Sequence, residues 1–275
     1  MENHQSIITV KNKKIPIKQG LNYGLLSSGQ ISFIPKPSDG FTSGNNDVMI
    51  NILKLKFKRF SGFFNIIYFL FGATFVGKSP KKFINSIGRD KIIMNLGSGV
   101  RRLRDDVIDV DIYPFGNIDI LSDISNLPMA DESVDVVVNE FVLEHVSDPM
   151  RIVREMKRVL KKDGLIYVAV PFVASFHSSP NDYYRWSKQG LRQMMEDFSE
   201  IECDVRCGPT SSLIYVLSEW LATVLSFGNR RAQQLIFMFF MIVFSPLSLV
   251  DYVIYKFPSS ENIAYGFYFV GKKKS

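Results

Sequence analysis

The stretch that decides the fold runs from Lys91 to Pro149 and reads KIIMNLGSGVRRLRDDVIDVDIYPFGNIDILSDISNLPMADESVDVVVNEFVLEHVSDP. It contains four apolar runs of strand length, each closed by polar residues or glycines. These runs are Ile92–Leu96, Val107–Asp111, Ile118–Ser122 and Val134–Asn139. Buried strands with polar carboxyl ends are typical of a parallel sheet that binds a ligand across its strand tips. We therefore predict an α/β fold with a doubly wound, mostly parallel sheet.

The chain after this stretch completes the predicted sheet. Asp148 and Pro149 begin a helix, because an acid at the N-cap and proline at the first helical position are both preferred, and Gly164 is expected to end it. A second helix is expected after Ser187. Three further strands are predicted at Leu165–Val170, Ile201–Val205 and Ile263–Val270. The sheet then has seven strands with the last one antiparallel, and an apolar helical insertion at 212–257 separates the last two.

We predict that the whole chain divides into three parts. They are a small β-rich leader at 1–47, an apolar and basic helical segment at 48–82, and the main domain at 83–275. The helical segment is short for a membrane span, which needs about 20 apolar residues. Its basic flanks and aromatic content fit an interfacial helix, and they fit equally well a helix packed on the sheet or on a second subunit. The run 235–244 is apolar on every face, so it must be buried in protein or lipid. Pro246 and Asp251 argue against a simple span.

Composition narrows the class of protein. The 275 residues are 46% hydrophobic and carry a net charge of +6, which excludes a disordered chain and suits an anionic surface without identifying one. Basic residues lie beside apolar runs and are not interleaved with aromatic ones, which disfavours nucleic acid as a partner. Cys203 and Cys207 have no histidine near them in sequence, so we predict neither a disulfide nor a metal site. The polar residues 1–5 lack the apolar core of a signal peptide, which favours the cytoplasm.

The predicted strand tips carry groups that suit a nucleoside. Gly97-Ser98-Gly99 forms a turn where glycine lets the backbone approach a ligand closely. Asp111 ends the second run, where a carboxylate can accept both hydroxyls of a ribose. Asp123 and Ile124 follow the third run and offer an acceptor and an apolar wall to an adenine.

The spacing of these groups discriminates between nucleoside cofactors. A dinucleotide requires a third glycine and a helix directly after the turn, and only residues 100–106 separate the turn from the next run. Asp111 follows Gly97 by 14 positions, against roughly 20 in the dinucleotide fingerprint. A cofactor without phosphates, such as S-adenosylmethionine, depends less on a helix there. Its carboxylate would be met by the turn amides, by Arg101 or by Arg102.

The block from Asn95 to Val146 resembles the class I S-adenosylmethionine-dependent methyltransferases, in the small-molecule branch with a Leu-Glu-His signature often found in surface-polysaccharide gene clusters. The resemblance implies a Rossmann-like fold and S-adenosylmethionine as cofactor. Ser98 stands where the family more often has Cys, and the first crossover helix of the family is missing. The implied cofactor contacts are Asn95, Gly97, Ser98, Gly99, Asp111, Ile112, Asp123, Ile124, Asn139, Glu140, Glu144 and His145. We expect His145 to shape the pocket and not to catalyse.

The acceptor side is predicted in the loop Phe172–Trp186, because it follows a strand directly and is rich in polar and aromatic groups. The candidate catalytic residues are His177, Asp182 and Tyr183. His177 would remove the proton of a hydroxyl acceptor, with Asp182 orienting it or substituting for it. In the alternative interpretation the aromatic residues only pack the loop, and Asp182 pairs with Arg185.

The sequence thus predicts methyl transfer to a small-molecule or glycan acceptor, with a lipid-linked sugar suggested by the Phe-rich segments. The apolar helices would contact the inner face of a membrane or form a homodimer. One rival hypothesis is a membrane-associated scaffold that binds the cofactor without catalysis. Another is a nicotinamide-dependent enzyme, which the missing third glycine disfavours.

Overall fold

The computed structural model describes residues 6–34, 74–177 and 181–274. Its strands are β1 (Ser6–Val10), β2 (Lys13–Ile17), β3 (Gly24–Leu25), β4 (Ile31–Ser32), β5 (Ile93–Leu96), β6 (Ile108–Asp111), β7 (Ile120–Leu121), β8 (Val134–Glu140), β9 (Leu160–Pro171), β10 (Phe198–Cys207) and β11 (Gly266–Lys273). Its helices are α1 (Pro80–Ile84), α2 (Pro149–Val159), α3 (Lys188–Met194), α4 (Pro209–Leu225), α5 (Arg230–Phe244) and α6 (Asp251–Ile254). Short 3₁₀ turns lie at Ile124–Asn126, Leu143–His145, Ser245–Val250 and Pro258–Ile263.

The main sheet has the strand order β10-β11-β9-β8-β5-β6-β7-β4-β3. The pairs from β9 through β8, β5, β6 and β7 to β4 are all parallel, whereas β11 runs antiparallel between β9 and β10. From β5 the chain moves outward to β6 and β7, then returns to the other side of β5 as β8. The topological switch point therefore lies between the tips of β5 and β8, where ligands of open α/β sheets bind. The predicted fold class and the antiparallel last strand are confirmed.

The predicted number of seven strands was wrong, because the leader contributes two more. Ile31 of β4 pairs in parallel with Ile120 of β7, and β3 continues the edge. The β1–β2 hairpin forms a separate two-stranded sheet whose Ile8, Ile15 and Ile17 are buried in the main core. The β-rich character of the leader was predicted, but a two-residue strand gives no sign of the distant strand with which it pairs. The boundary predicted at residue 47 lies outside the described residues.

Both faces of the sheet bury a core, as expected of a doubly wound fold. Neighbouring residues of one strand alternate between the two cores, since strand side chains point to opposite faces. Met94 faces the core that includes α2 and α3, whereas Ile93 faces the core that includes α1. The face that includes α1 is smaller and is filled by Phe83, Tyr167 and Tyr268, among others.

Several predicted element ends were displaced. The helix α2 begins at Pro149 as predicted, with Asp148 capping it, but it ends at Val159 and not at Gly164. Residues Leu160–Gly164 instead extend β9 through an irregular register, in which Asp163 adopts a positive φ of 61°. The turn is tight, since a Cβ at Gly164 would lie 2.9 Å from the carbonyl oxygen of Lys161.

The helical insertion is longer than the predicted 212–257 and occupies residues 209–263, between β10 and β11. Among the described residues, Arg230–Ile254 is the one helical stretch long and apolar enough to cross a membrane. Ser245–Val250 interrupts it as a 3₁₀ turn, in line with the expectation from Pro246. Asp251 is fully buried and accepts hydrogen bonds from the amides of Thr210 and Ser211. These bonds tie α6 to the start of α4.

The predicted apolar and basic helix at 48–82 lies outside the described residues up to residue 73. Residues 74–79 contain no helix, and α1 begins at Pro80 with Ser79 as its N-cap. Phe75 forms an isolated bridge with Cys207, so this piece runs beside the end of β10.

Candidate functional site

The turn after β5 brings the backbone close to the segment that follows β8. Gly97 and Gly99 both have positive φ, 69° and 56°, a conformation that favours glycine. A Cβ at Gly97 would lie 2.6 Å from a methyl carbon of Val142, so only glycine lets Val142 pack there. A Cβ at Gly99 would meet nothing within 4 Å, which leaves open space beside the turn.

Two acids at the end of β6 hold this turn in place. Asp111 accepts a hydrogen bond from the amide of Gly99 at 2.8 Å and another from the amide of Tyr113 at 3.0 Å. Burial raises the pKa of Asp111 despite these bonds. Asn95 donates to Asp109 at 2.9 Å, and burial raises the pKa of Asp109 to about 6. A carboxylate offers about four acceptor sites, so Asp111 retains acceptor capacity beyond these backbone bonds.

The tips of β6 and β7 form the end of the site predicted for an adenine. Asp123 caps the 3₁₀ turn Ile124–Asn126 by accepting from the amide of Ser125 at 2.8 Å. Ile124 is buried, whereas the side chain of Ile112 is exposed. At this edge Ile112 is the exposed apolar side chain, and one carboxylate oxygen of Asp123 is used by its own cap.

Two further predicted cofactor contacts, Asn139 and Glu140, lie at the tip of β8 and have different surroundings. Asn139 is fully buried and donates to the carbonyl of Leu96, but its Oδ1 has no partner among the described residues. Glu140 accepts from Arg206 at 2.9 Å and pairs with Arg101 at 3.3 Å. The carboxylate of Glu140 is therefore already paired with two arginines.

The two arginines predicted to meet the cofactor carboxylate, Arg101 and Arg102, have different partners. Arg102 donates to the carbonyl of Asn117 at 2.8 Å and lies 3.5 Å from a carboxylate oxygen of Asp109, so it stabilises the end of β6. Arg101 is about half exposed and lies beside Glu140 at the open side of the turn. Only Arg101 is placed to meet the carboxylate of a cofactor.

These residues fit S-adenosylmethionine. The buried Oγ of Ser98 and Oδ1 of Asn139, at the adjacent tips of β5 and β8, have no hydrogen-bond partner among the described residues. Orphaned buried polar atoms at a switch point are the groups that a polar ligand satisfies. The open space at Gly99 and the carboxylate of Asp111 lie along the same edge. Residues 100–106 contain no helix, as predicted, so this link places no helix N-terminus at the turn.

A second cluster lies where the segment after β8 meets the acceptor loop. Glu144 is fully buried, and neither of its carboxylate oxygens has a hydrogen-bond partner among the described residues. Its Oε1 lies 3.7 Å from Nε2 of His145 and 3.9 Å from Nε2 of His177. Burial raises the pKa of Glu144 to about 8 and lowers the pKa of His145. Residues 32 positions apart in sequence are thus brought together at this edge.

Asp182 does not orient the ring of His177 as predicted. Its carboxylate accepts from Arg185 and from the backbone amide of His177, and its nearest oxygen is 3.8 Å from Nδ1 of that ring. Burial opposes ionisation, but the bonds from Arg185 and from His177 outweigh it and lower the pKa of Asp182. The alternative pairing of Asp182 with Arg185 is therefore present, and it fixes the loop backbone.

Tyr183 takes part in the site through its backbone. Its amide donates to the carbonyl of Glu144 at 2.7 Å, whereas its side chain is half exposed. This bond ties the acceptor loop directly to the Leu143–His145 turn. The side chain has the access that an acceptor contact requires.

Sequence reasoning missed Arg206 and Phe141. Arg206 is buried in β10, and its guanidinium lies 4.2 Å from the ring of Phe75 while it pairs with Glu140. A lone arginine between Val205 and Cys207, directly after the predicted strand Ile201–Val205, was the available signal. Phe141 has a φ of 55°, uncommon for a bulky residue, which turns the chain away from β8 toward Val142.

Residues 102–168 match the family described as a methyltransferase domain. Two curated relatives from Mycobacterium tuberculosis strains are named probable S-adenosylmethionine-dependent methyltransferases, and each is 50% identical over 50 residues. The aligned segment spans 18% of this chain and 18% of each relative. The sequence similarity to them is therefore confined to a small part of both proteins.

Solved structures share a more extended but weaker likeness. Phosphoethanolamine N-methyltransferase 2 of Haemonchus contortus, solved with S-adenosyl-L-methionine, is 14% identical with a TM-score of 0.47, over 82% of this chain and 60% of that chain. A Thermotoga maritima S-adenosylmethionine-dependent methyltransferase is 21% identical with a TM-score of 0.40, over 54% and 81%. At these TM-scores neither likeness carries an argument about this chain.

Proposed function

We propose that this chain, whose central domain belongs to the class I S-adenosylmethionine-dependent methyltransferases, transfers a methyl group to an oxygen of a small-molecule or glycan acceptor. The predicted family, fold class and cofactor are confirmed by the domain match and the strand order. The acceptor and the acceptor atom are part of the proposal, and the link to polysaccharide gene clusters stays a prediction.

S-adenosylmethionine supplies an electrophilic sulfonium methyl when bound, so the protein mainly has to align an acceptor with it. Asp111 would accept the ribose hydroxyls, and Asp123 with Ile112 and Ile124 would hold the adenine. The turn at Gly97–Gly99, with Asn139 and Arg101, would meet the amino-acid end. The open space beside Gly99 and the unpartnered polar atoms of Ser98 and Asn139 support the roles proposed at the turn.

One observation carries the proposed transfer: the turn at Gly97–Gly99 and the acceptor loop both contact the short segment Val142–His145. Val142 packs on Gly97, and two residues later Glu144 faces His145 and His177. An acceptor bound over His177 would therefore lie beside the cofactor edge. The side chain of His177 is 40% exposed, so an acceptor can reach it. We place the acceptor hydroxyl at this cluster, where its proton would be taken up.

The transfer can be tested by replacing His177 with Ala. Turnover should fall by about 100-fold or more, the usual contribution of a positioned proton acceptor. The affinity for S-adenosylhomocysteine, measured by calorimetry, should stay unchanged because His177 lies outside the predicted cofactor contacts. Unchanged turnover would remove His177 from this role.

We further propose that the protein works at the cytoplasmic face of an anionic membrane, on a lipid-linked sugar. The support is the layer formed by α4 and α5, which exposes large apolar side chains: Leu213, Val216, Trp220, Leu235, Phe239 and Ile242. Contiguous exposed apolar surface marks an interaction site. Arg230 and Arg231 begin α5, and the net charge of +6 favours an anionic partner.

Vesicle flotation tests the membrane proposal. The protein should float with anionic vesicles, and the double variant Trp220→Ser with Phe239→Ser should not. Both side chains are 60% exposed, so the fold should tolerate the change. The control is Leu25→Ser on the edge strand β3, which removes a 73% exposed side chain outside the layer and should float normally. Wild-type protein that stays at the bottom contradicts the proposal. A concentration-dependent dimer disrupted by the double variant would then assign the layer to a second copy.

A scaffold that binds the cofactor without catalysis remains the rival hypothesis. Normal binding of S-adenosylhomocysteine without methylation of any fraction of a cell extract would favour it.

A further inference from the structure

The cluster of Glu144, His145 and His177 has the geometry of a metal-ligand set. One carboxylate oxygen and one nitrogen from each ring lie within 4.8 Å of one another. The separations of Glu144 Oε1 from the two Nε2 atoms, 3.7 and 3.9 Å, are close to the roughly 3.4 Å between ligands of a tetrahedral ion with bonds of about 2.1 Å. The two rings lie nearly perpendicular, at 87°, with centroids 5.2 Å apart.

The other ring nitrogen of each histidine is engaged by the backbone. Nδ1 of His145 lies 2.6 Å from the carbonyl oxygen of Asn181, and Nδ1 of His177 lies 3.1 Å from that of Ser175. A carbonyl can only accept, so Nδ1 of His145 donates to Asn181 and its Nε2 lies toward Glu144. Nε2 of His177 lies on the same side, toward Glu144. Arg185 lies 3.4 Å from Nδ1 of His177, but it donates to the Ser175 carbonyl at the shorter distance of 2.9 Å. Histidines that bind metals are oriented in this way by outer partners.

The buried carboxylate is an independent sign that something is missing between these groups. Both oxygens of Glu144 are inaccessible and have no hydrogen-bond partner among the described residues. Leaving a carboxylate buried without partners costs several kcal/mol. A cation between Glu144 and the two rings would give this carboxylate the partner that it lacks among the described residues.

We infer that Glu144, His145 and His177 bind one divalent transition-metal ion, with Zn²⁺ the preferred candidate. Two imidazoles with one carboxylate form a ligand set of catalytic zinc sites and of other divalent transition-metal sites. Three protein ligands leave at least one coordination position open. The ring of His177 is the more exposed of the two and belongs to the acceptor loop, so an acceptor would reach the ion from that side.

This inference deepens the proposed function and rests on it for the role of the ion. A hydroxyl of the acceptor bound at the open position would lose its proton more readily, because a bound cation stabilises the oxyanion. The proton would leave to solvent on the exposed side of the site, the acceptor oxygen would take the methyl group, and the cofactor sulfur would keep the bonding electron pair. In this arrangement His177 would hold the ion in place of accepting the proton. Metal binding, in contrast, can be measured without any acceptor, so the two proposals can fail separately.

The test is calorimetric titration of untagged, chelator-treated protein with Zn²⁺. Wild type should bind a single ion, and Glu144→Gln and His177→Ala should each weaken binding by at least about 100-fold, the upper end of the loss caused by removing an outer partner. His4→Ala is the matched control, since His4 is the third histidine of the chain and should leave binding unchanged. A second readout is Co²⁺ absorption, which should change in wild type and in the control variant alone.

The outcomes separate cleanly. Wild-type protein that binds neither Zn²⁺ nor Co²⁺ overturns the inference, as does binding that all variants share. If Glu144→Gln fails to fold, as judged by circular dichroism, His177→Ala decides, because that side chain is exposed. Metal binding without a metal requirement for turnover would keep the site but refute its role in the transfer. Wild-type protein that binds the metal ion but transfers no methyl group would refute the proposed function and leave the metal site in place.

Discussion

The strand tips around Gly97 and the helical layer of α4 and α5 are built in contrasting ways. The tips are dense in buried polar groups that tie one loop to the next, as Asp111 ties the turn at Gly99. The layer exposes large apolar side chains, and the buried Asp251 of α6 holds the start of α4 by accepting from two backbone amides. A site for a small polar ligand needs fixed donors and acceptors, whereas contact with lipid or a partner needs apolar area.

The largest effect is expected at the tips, for Asp111→Ala. Two charge-assisted hydrogen bonds to ribose hydroxyls should be lost, a cost of about 4 kcal/mol or about 1000-fold in affinity. Calorimetry with S-adenosylhomocysteine measures it, with Asp123→Ala as a comparison that should cost less. Undiminished affinity in Asp111→Ala would show that the tips do not bind the cofactor as described.

The next effect is expected in the layer, for Asp251→Ala. This carboxylate accepts from the amides of Thr210 and Ser211 and from the Ser211 hydroxyl, all in the first turn of α4. Its loss should lower the free energy of unfolding by about 3–4 kcal/mol, since buried donors are left unpaired. Denaturant unfolding measures the change. Asn229→Ala, at the exposed cap of α5, should cost only about 1 kcal/mol. Equal costs would mean that Asp251 is not the main polar anchor.

A smaller effect separates the two glycines of the turn. Gly97→Ala should destabilise the fold by about 3 kcal/mol, from the positive φ and the clash with Val142. Gly99→Ala has the same backbone strain without the clash, so it should cost about 1–2 kcal/mol. Thermal unfolding measures both. Matching losses would rule out a close contact between Val142 and the turn.

The smallest effect concerns pH. Burial raises the pKa of Asp109 to about 6, above its ordinary value of 3.8. Between these values the folded state holds a proton that the unfolded state has released, so stability falls as pH rises from about 4 to about 6. Wild type should lose about 2 kcal/mol relative to Asp109→Asn over this window. A difference in stability between wild type and Asp109→Asn that stays constant over this pH window would contradict the burial of this acid.

The same contrast explains what the sequence could reveal. The tips were predictable because each apolar run stops at a polar residue, so that Asp111 and Asp123 stand at fixed places in the pattern. The pairing of Ile31 with Ile120 was not, since β4 has two residues and its partner is distant in sequence. The early end of α2 was missed because Lys161 and Lys162 suit an exposed helix as well as a turn.

The cluster at Glu144 was predicted only in part. His145 and His177 were both named as site residues, but nothing in the sequence shows that their Nε2 atoms face one buried carboxylate. That convergence depends on the Tyr183 amide bonding to the Glu144 carbonyl and on the pairing of Asp182 with Arg185. Such loop contacts are set by tertiary structure and leave no periodic pattern.

The most direct test of the account is methyl transfer from labelled S-adenosylmethionine to fractionated lipid-linked glycans by the purified protein. The account predicts that one fraction becomes labelled by wild type, and that Asp111→Ala and His177→Ala leave it unlabelled. Wild-type protein that binds the cofactor but labels no fraction of these glycans, or of the remaining cell extract, would contradict it.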